Sequence, residues 1–432
     1  MKQIIDLINK AIEKINSTQG LIQIVSDLDC DGIAAASIIS SVLIQSNKNF
    51  QVTFVNRISD ELIKELGEKK PELVIFTDMG SGYLDMLNKL NLDTIVLDHH
   101  QIEGSPSKNI IHINPEEVDL KLSGSGITYL LAKEMLKNNS LAPLAIVGTV
   151  GDVSYSTDSK LFETPMIEAE IGLNLFGRFS RPLHKSLEFS GIPELDGESK
   201  TIQFLSEIGI KTQKNGEWRT FNDLDNEEKR NLTDAIVKES LNHESFDKKL
   251  IFGSILTLKS FPDELKDAKE FATILNACAN MNEPAIGLAL CLGNEKMLGT
   301  ARNLLKAYRK IIGNYMRWIE NNPESIKQTD CANYILGKDA INENFIGTIV
   351  SMLFRPVEKT IIGFGNSKDG IKISARSKNI NIRGVIVEAA RTCGGRGGGH
   401  ESAAGAIIPL DSQEKFIEIC ENILKKSIAI ET

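Results

Sequence analysis

Six cysteines are spread over 432 residues with no CxxC pair and no close spacing among them. That usage argues against a secreted, cross-linked scaffold and suits a reducing, cytoplasmic setting. Long apolar runs are missing too, so nothing in the sequence reads as a helix that crosses a bilayer. At the start, Ile4, Ile5, Ile8, Ile12 and Ile15 have helical spacing, but Asp6 and Glu13 interrupt anything like a signal-peptide core. No GxxxxGK[ST] string occurs, which removes the glycine-rich phosphate loop. Internal repeats and low-complexity tracts are likewise absent. What is left is an ordinary globular chain, long enough for two or three domains with separate cores.

The net charge of −9 argues against a protein that coats nucleic acid indiscriminately, yet the charge is unevenly spread. Between Ala301 and Trp318 stand Arg302, Lys306, Arg309, Lys310 and Arg317 with no acid, and the first four share one side of a helix. From Lys368 to His400 seven bases face two acids, Asp369 and Glu388. Either stretch alone is no more than a solvated face; together, in an acidic chain, they outline a path for a polyanion.

Along the chain, "LIQIVS", "QVTFVN", "LVIFTD", "TIVLDH" and "IIHIN" alternate with helix-like segments over the first 155 residues. This is the pattern of a parallel sheet covered on both faces. Residues 156–330 read as mainly helical, broken by "SGIPELDGES" and "KNGEW". Strands return after Cys331 in "TIIGFGN", "IKISARS" and "GAIIP", with the glycine cluster "CGGRGGGH" between the last two. The expectation is an α/β protein with an N-terminal parallel-sheet domain over 1–180, a helical middle over 181–330 and a smaller C-terminal α+β domain over 331–432. The active site is expected in the cleft between the outer two.

Three of the parallel strands finish on an aspartate: Asp27, Asp78 and Asp98, the last followed by His99 and His100. In an open α/β sheet, ligands bind beyond the carboxyl ends of the strands, so these side chains should converge. "SDLDCDG" adds Asp29 and Asp31, and "AIVGTVGDV" adds Asp152. One aspartate after a strand is ordinarily the cap of the next helix, but three strand ends and a histidine pair exceed what capping needs. An EF-hand fails because Ile38 stands where the bidentate glutamate belongs. Haloacid-dehalogenase phosphatases have an aspartate pair after a strand but neither a DHH triplet nor a use for Asp31. Carboxylates mixed with one imidazole suit Mn²⁺ or Mg²⁺, with Mn²⁺ favoured by the nitrogen ligand. There are enough acids for two ions, roughly 3.5–4 Å apart.

With these residues, the chain resembles the DHH phosphoesterase superfamily, and specifically the RecJ-like exonucleases of archaea. "GGRGGGHESAAGA" resembles the signature of the DHH-associated C-terminal domain, and "GRFSRPLHKSLEFS" and "DAKEFATILNACANMNEPAIGLALCLG" resemble segments of the archaeal nucleases. The resemblance implies that Asp27 and Asp29 hold one metal, that Asp31, His99 and Asp152 hold the other, and that Asp78 bridges them. It implies that Asp98 orients the histidines and that His100 sits beside the scissile phosphate. Arg376 and His400, with the amides of Gly397, Gly398 and Gly399, would grip phosphate, the glycines letting backbone approach the anion. Arg178, Arg181, His184, Arg302, Lys306 and Arg309 are candidate nucleic-acid contacts. His112 and His184 are otherwise isolated and read as core or surface histidines. Cys30 reads as a small filler facing the core. Asn280 stands where the archaeal nucleases often carry an arginine, and there is no room for the OB-fold of bacterial RecJ.

The expected function is a metal-dependent exonuclease releasing mononucleotides from single-stranded DNA or RNA, in replication or repair, with Mn²⁺ as cofactor and GINS as a partner by family analogy. Two alternatives stand beside it. One is a replisome scaffold that binds GINS with little activity, which would predict eroded metal ligands. The other is a phosphodiesterase for short oligonucleotides or cyclic dinucleotides, for which the helical middle is superfluous.

Overall fold

The structure, a computed structural model, describes residues 2–152, 164–188, 190, 192, 195–241, 252–354, 359–368 and 370–431. Near the N-terminus, β1 (Ile22–Asp27), β2 (Phe50–Val55), β3 (Leu73–Thr77), β4 (Thr94–Leu97) and β5 (Ile110–Ile113) form a parallel sheet in the order β2-β1-β3-β4-β5. Side chains alternate across it. Ile24, Ile75, Ile95 and Leu97 pack with the helices Lys2–Ser17, Cys30–Gln45, Gly124–Leu136 and Ala142–Gly151. Val25, Val74, Phe76 and Val96 pack on the opposite face, against Leu62 and Leu66 of the Asp60–Lys69 helix. Burial on both faces is why these strands read as continuous apolar runs. The helix Cys30–Gln45 is buried on all sides, which explains its apolar "GIAAASIISSVLI".

The middle of the chain is mainly helical, as expected, and adds strands the sequence reading did not single out. It contains the helices Leu183–Glu188, Glu198–Glu207, Asn226–Leu241, Ala268–Asn280, Pro284–Cys291 and Leu298–Asn321. It also contains β6 (Ile167–Leu173) paired antiparallel with β7 (Phe252–Leu258), Ile167 opposite Leu258 and Leu173 opposite Phe252. "KNGEW" is a hairpin turn, with Asn215 at φ 54° and Gly216 at φ 85°, the left-handed pair that an Asn-Gly turn supplies.

A second sheet follows, made of β8 (Ile326–Gln328), β9 (Ala332–Leu336), β10 (Thr360–Ser367), β11 (Gly370–Arg376), β12 (Arg396–Gly399) and β13 (Ala403–Ile408). Its order is β8-β9-β10-β11-β13-β12. One face packs on the helices Ile382–Thr392 and Gln413–Glu431, the other on Glu343–Phe354 and the long helix Leu298–Asn321. The glycine cluster, expected to turn its amides together toward an anion, is instead part of a strand. Gly397, Gly398 and Gly399 lie in the edge strand β12, opposite Ala406, Gly405 and Ala404. Successive amides of a strand point to opposite sides, so these three form no concave nest.

Candidate metal centre

In the first sheet, β2 lies on one side of β1 and β3 on the other, so the chain leaves these two strands in opposite directions. A crevice opens at such a switch point. Asp27 ends β1, Asp78 follows β3 and Asp98 follows β4, so all three stand at its rim. Asp29 does cap the helix Cys30–Gln45, its Oδ1 accepting the Gly32 amide at 2.8 Å. Asp31, in the first turn of that helix, is 2% exposed. Its Oδ1 accepts the Ser123 hydroxyl at 3.0 Å and the Ser125 amide at 3.2 Å. Among the described residues no donor reaches its Oδ2. Asp152 caps the C-terminus of the helix Ala142–Gly151, where the macrodipole is unfavourable to a carboxylate and a cation would offset it.

These side chains sort into two adjoining donor sets. Asp27, Asp29 and Asp78 each offer an oxygen within 4.8 Å of the others, and so do Asp31, His99 and Asp152 with oxygens and a ring nitrogen. The sets meet at His99, whose Nε2 is 3.1 Å from Asp78 Oδ1 and 3.6 Å from Asp152 Oδ2. Burial pushes the Asp31 carboxyl up to about 7, and repulsion from Asp152 and Asp29 adds to it. Asp27 is likewise pushed up to about 7 by burial and then by Asp29, while Asp78 is driven well above the carboxylate range by burial and then by Asp31 and Asp29. Burial holds His99 well below the usual imidazole range, leaving a neutral ring, the form that ligates metal. An unmet buried oxygen, crowded carboxylates that resist ionisation and a neutral imidazole together fit a pair of divalent cations of the Mn²⁺ or Mg²⁺ kind.

Close packing holds this arrangement. A Cβ on Gly148 would lie 2.4 Å from Asp31 Oδ1, and one on Gly124 would lie 2.3 Å from Asp78 Oδ1. Asp78 itself has φ 58°, in the left-handed region that is uncommon outside glycine.

Asp98 is fully buried and does a different job. Its Oδ1 meets His100 Nδ1 at 2.7 Å and accepts the His99 and His100 amides at 2.7 and 3.1 Å, while Oδ2 accepts the Ser81 amide at 2.7 Å. Burial would raise this carboxyl, but the His100 charge and hydrogen bond outweigh it and hold Asp98 well below the usual range. The same pairing raises His100 to about 10 against the opposing effect of burial. Sequence reasoning missed the supports behind this pair. Ser81 Oγ lies 2.9 Å from His112 Nε2 and accepts from Asn114 Nδ2 at 2.9 Å, and Asn114 Nδ2 also donates to the His100 carbonyl at 2.8 Å. From the second sheet, the His400 ring comes within 5.4 Å of His99 and 5.7 Å of His100. The C-terminal domain thus reaches the Asp-His-His segment directly.

Three family models match this chain in order: the DHH family N-terminal domain over residues 21–149, the DHH-CID domain over 175–251 and the DHHA1 domain over 330–426. This chain belongs to the DHH phosphoesterase family. It is 29% identical to an uncharacterised protein of Methanocaldococcus jannaschii, over 98% of both chains. Its fold is similar to RecJ from Thermus thermophilus solved with Mn²⁺, with a TM-score of 0.61 and 17% identity, covering 99% of this chain and 55% of that one. The chain therefore spans little more than half the length of that RecJ. A structure of exonuclease RecJ bound to manganese covers 97% and is itself covered to 94%, at a TM-score of 0.57 and 18% identity. CDC45 from Entamoeba histolytica has a TM-score of 0.61 at 13% identity, covering 98% of this chain and 99% of that one.

For this DHH protein the outlying candidates divide sharply. Arg178 is buried at 6% exposure, its Nη2 3.2 Å from Glu170 and its guanidinium over the Phe221 ring, so the expectation of a nucleic-acid contact fails there. His184 is also buried, with Nε2 3.5 Å from Glu198 and its ring on Trp218, and fails for the same reason. Cys30 is buried in the core with Sγ 3.5 Å from the Val147 carbonyl, as a filler should be. Asn280 folds back on its own helix, donating to the Asn276 carbonyl at 2.8 Å. Arg376 is half-buried at the end of β11, its Nη1 donating to the Ala375 carbonyl at 2.9 Å. On the long helix, Arg302 pairs with Glu264, Lys306 is exposed, and Arg309 turns inward toward Phe176 and Arg181. Among the described residues no helix is long and apolar enough to cross a membrane.

Proposed function

We propose that the chain is a metal-dependent exonuclease that hydrolyses phosphodiester bonds of single-stranded DNA or RNA to mononucleotides, in replication or repair. The observation that carries this reading is the pair of donor sets meeting at His99, each with its own carboxylates. Asp27 and Asp29 would hold one ion, Asp31, His99 and Asp152 the other, with Asp78 between them. Paired divalent ions supply hydroxide at neutral pH and offset charge building on the phosphoryl oxygens. The chain's own groups do the rest. Asp98 keeps His100 protonated at neutral pH, so that a cationic donor faces the scissile phosphate. His400 and Arg376 would close over the phosphate from the second domain. Burial of Asp31 and Asp78 keeps bulk water from screening them.

The test is incubation with Mn²⁺ and end-labelled single strands of about 5 and about 40 nucleotides beside duplex controls, the sizes chosen so that only the longer can span a full binding groove. Mononucleotide release from the longer strand is the expected result. Cleavage confined to the short strand would replace the reading with a short-oligonucleotide phosphodiesterase. Intact strands would leave a scaffold role, for which the likeness in fold to CDC45 is the support and GINS the partner to try. The complete set of acids and imidazoles speaks against lost activity.

A further inference from the structure

Histidine is scarce in this chain, with six in 432 residues, yet three of the six gather at one point. His99 and His100 follow β4, and His400 stands at the tip of the β12–β13 hairpin. One ring nitrogen from each of the three lies within 4.8 Å of those of the other two. This third donor set holds no carboxylate, unlike the two that meet at His99.

The backbone fixes each ring. Neighbouring residues of an extended chain send their side chains to opposite sides. Here Asp98 accepts the amides of both His99 and His100, which bends the chain and leaves the two ring centroids 4.5 Å apart. His400 is held from the second sheet. Its amide donates to the Ala403 carbonyl at 2.7 Å and its carbonyl accepts the Ala403 amide at 3.2 Å, closing a tight turn over Glu401 and Ser402. Gly399 enters that turn at φ 124°, and a Cβ there would lie 2.5 Å from the Ala403 carbonyl oxygen. The hairpin so placed brings the His400 ring 5.4 Å from His99 and 5.7 Å from His100.

These separations match a metal held by three imidazoles. Rings bound to one tetrahedral zinc at Zn–N distances of about 2.0–2.1 Å have centroids roughly 5 Å apart. The three observed values, 4.5, 5.4 and 5.7 Å, bracket that figure. Nitrogen donors alone suit Zn²⁺, whereas Mn²⁺ and Mg²⁺ want oxygen. His100 also has the support that zinc-bound histidines share: Asp98 Oδ1 meets its Nδ1 at 2.7 Å, which leaves Nε2 for a ligand. Zinc takes the place of the Nε2 proton, which passes to solvent. The His100 side chain is 35% exposed, so an ion can reach it.

We propose that His99, His100 and His400 form a zinc site, in which one Zn²⁺ ties the C-terminal domain to the Asp-His-His segment and stops turnover. Zinc binding stands on the three rings alone. That it stops turnover rests on the nuclease reading, which puts the scissile phosphate beside the same rings.

The test gives the metal-free protein one equivalent of Zn²⁺, without nucleic acid, and reads the ligands of zinc by X-ray absorption fine structure. Three imidazoles around the ion are the expected result. One imidazole among oxygens would put the zinc with Asp31 and Asp152 and overturn the proposal. Asp27→Asn, which thins the acidic set and spares every histidine, should keep the count at three. By calorimetry His400→Ala should bind the first zinc at least about 100-fold more weakly, since losing a ligand costs more than losing a group behind one. Amide exchange of the unaltered chain guards against a variant that misfolds: zinc should slow it both after β4 and in the β12–β13 hairpin. Slowing in one of the two alone, an affinity that His400→Ala leaves unchanged, or a count that Asp27→Asn lowers would each overturn the site. With Mn²⁺ present, one equivalent of zinc should halt mononucleotide release from the 40-nucleotide strand, and undiminished release with three imidazoles on the zinc would overturn the inhibitory role. Strands left intact in Mn²⁺ before zinc is added mark failure of the nuclease reading instead, and the imidazole count is read independently of it.

Discussion

The Asp98 carboxylate holds His100 by a 2.7 Å contact to Nδ1 and at the same time accepts the backbone amides of His99 and His100. One buried side chain therefore fixes both the charge of one imidazole and the backbone that presents the other. Replacing it with asparagine removes the charge and keeps the shape. Asp98→Asn should cut turnover by about 10–100-fold, the usual cost of losing a group that orients a ligand. His100 should titrate near neutrality instead of near 10, as followed by NMR of the imidazole. A His100 signal that still titrates near 10 would contradict this account.

Without divalent ions, acid should stabilise the protein. Asp27 and Asp31 are raised to about 7 in the folded chain, so across the acid range the native state binds more protons than the unfolded one. Their stabilising contribution is complete below the ordinary carboxylate pKa and is lost as pH rises through about 7. The melting temperature in EDTA should fall between about pH 5 and pH 8, and Mn²⁺ should add most at the higher pH, where the acids are ready to ligate. A melting curve in EDTA that rises with pH would count against the crowding described above.

Two glycines test how tightly the acids are held. In Gly148→Ala the new methyl would lie 2.4 Å from Asp31 Oδ1 and 2.2 Å from Ser125 Oγ. Mn²⁺ affinity by calorimetry should fall by more than tenfold although alanine favours the helix. Gly67→Ala, in the exposed helix Asp60–Lys69 with nothing within 4 Å, is the control and should raise stability by ~0.5–1 kcal/mol.

Behind the histidines, His112 should matter although it touches no acid of the pocket. Its Nε2 meets Ser81 Oγ at 2.9 Å, and the Ser81 amide in turn fixes Asp98. His112→Phe keeps the bulk and takes one of the two side-chain partners from the buried Ser81 hydroxyl, leaving it Asn114 alone. Turnover should drop by about 10–100-fold with the chain still folded by circular dichroism. His112→Gln, which can still reach Ser81, should recover part of it. Equal activity in all three forms would reduce His112 to filler.

The acids of the pocket could be read from the sequence because each follows an apolar run, and charge at a strand end is a local signal. Their supports could not. Ser123 meets Asp31 across 92 positions, and His112, Ser81 and Asn114 are brought together only by β5 pairing beside β4. The five parallel strands were legible from composition, whereas β6 and β7 were not, since each owes its conformation to a partner far along the chain. Arg178 and His184 show the limit of reading charge from sequence. Both sit in a basic stretch, yet both are buried, Arg178 against Glu170 of β6 and His184 beside Glu198 of a later helix. The glycine run misled for another reason: glycine lets backbone approach an anion but equally lets two backbones pair closely, as Gly398 and Gly405 do.

The positive φ of Asp78 gives that position two duties, bending the chain and carrying a charge. Exchange for alanine would disturb both at once, so an inactive Asp78→Ala variant would say little about the carboxylate. Asparagine tolerates the same bend. Anyone redesigning this pocket for other chemistry inherits a choice limited to aspartate, asparagine or glycine at its centre.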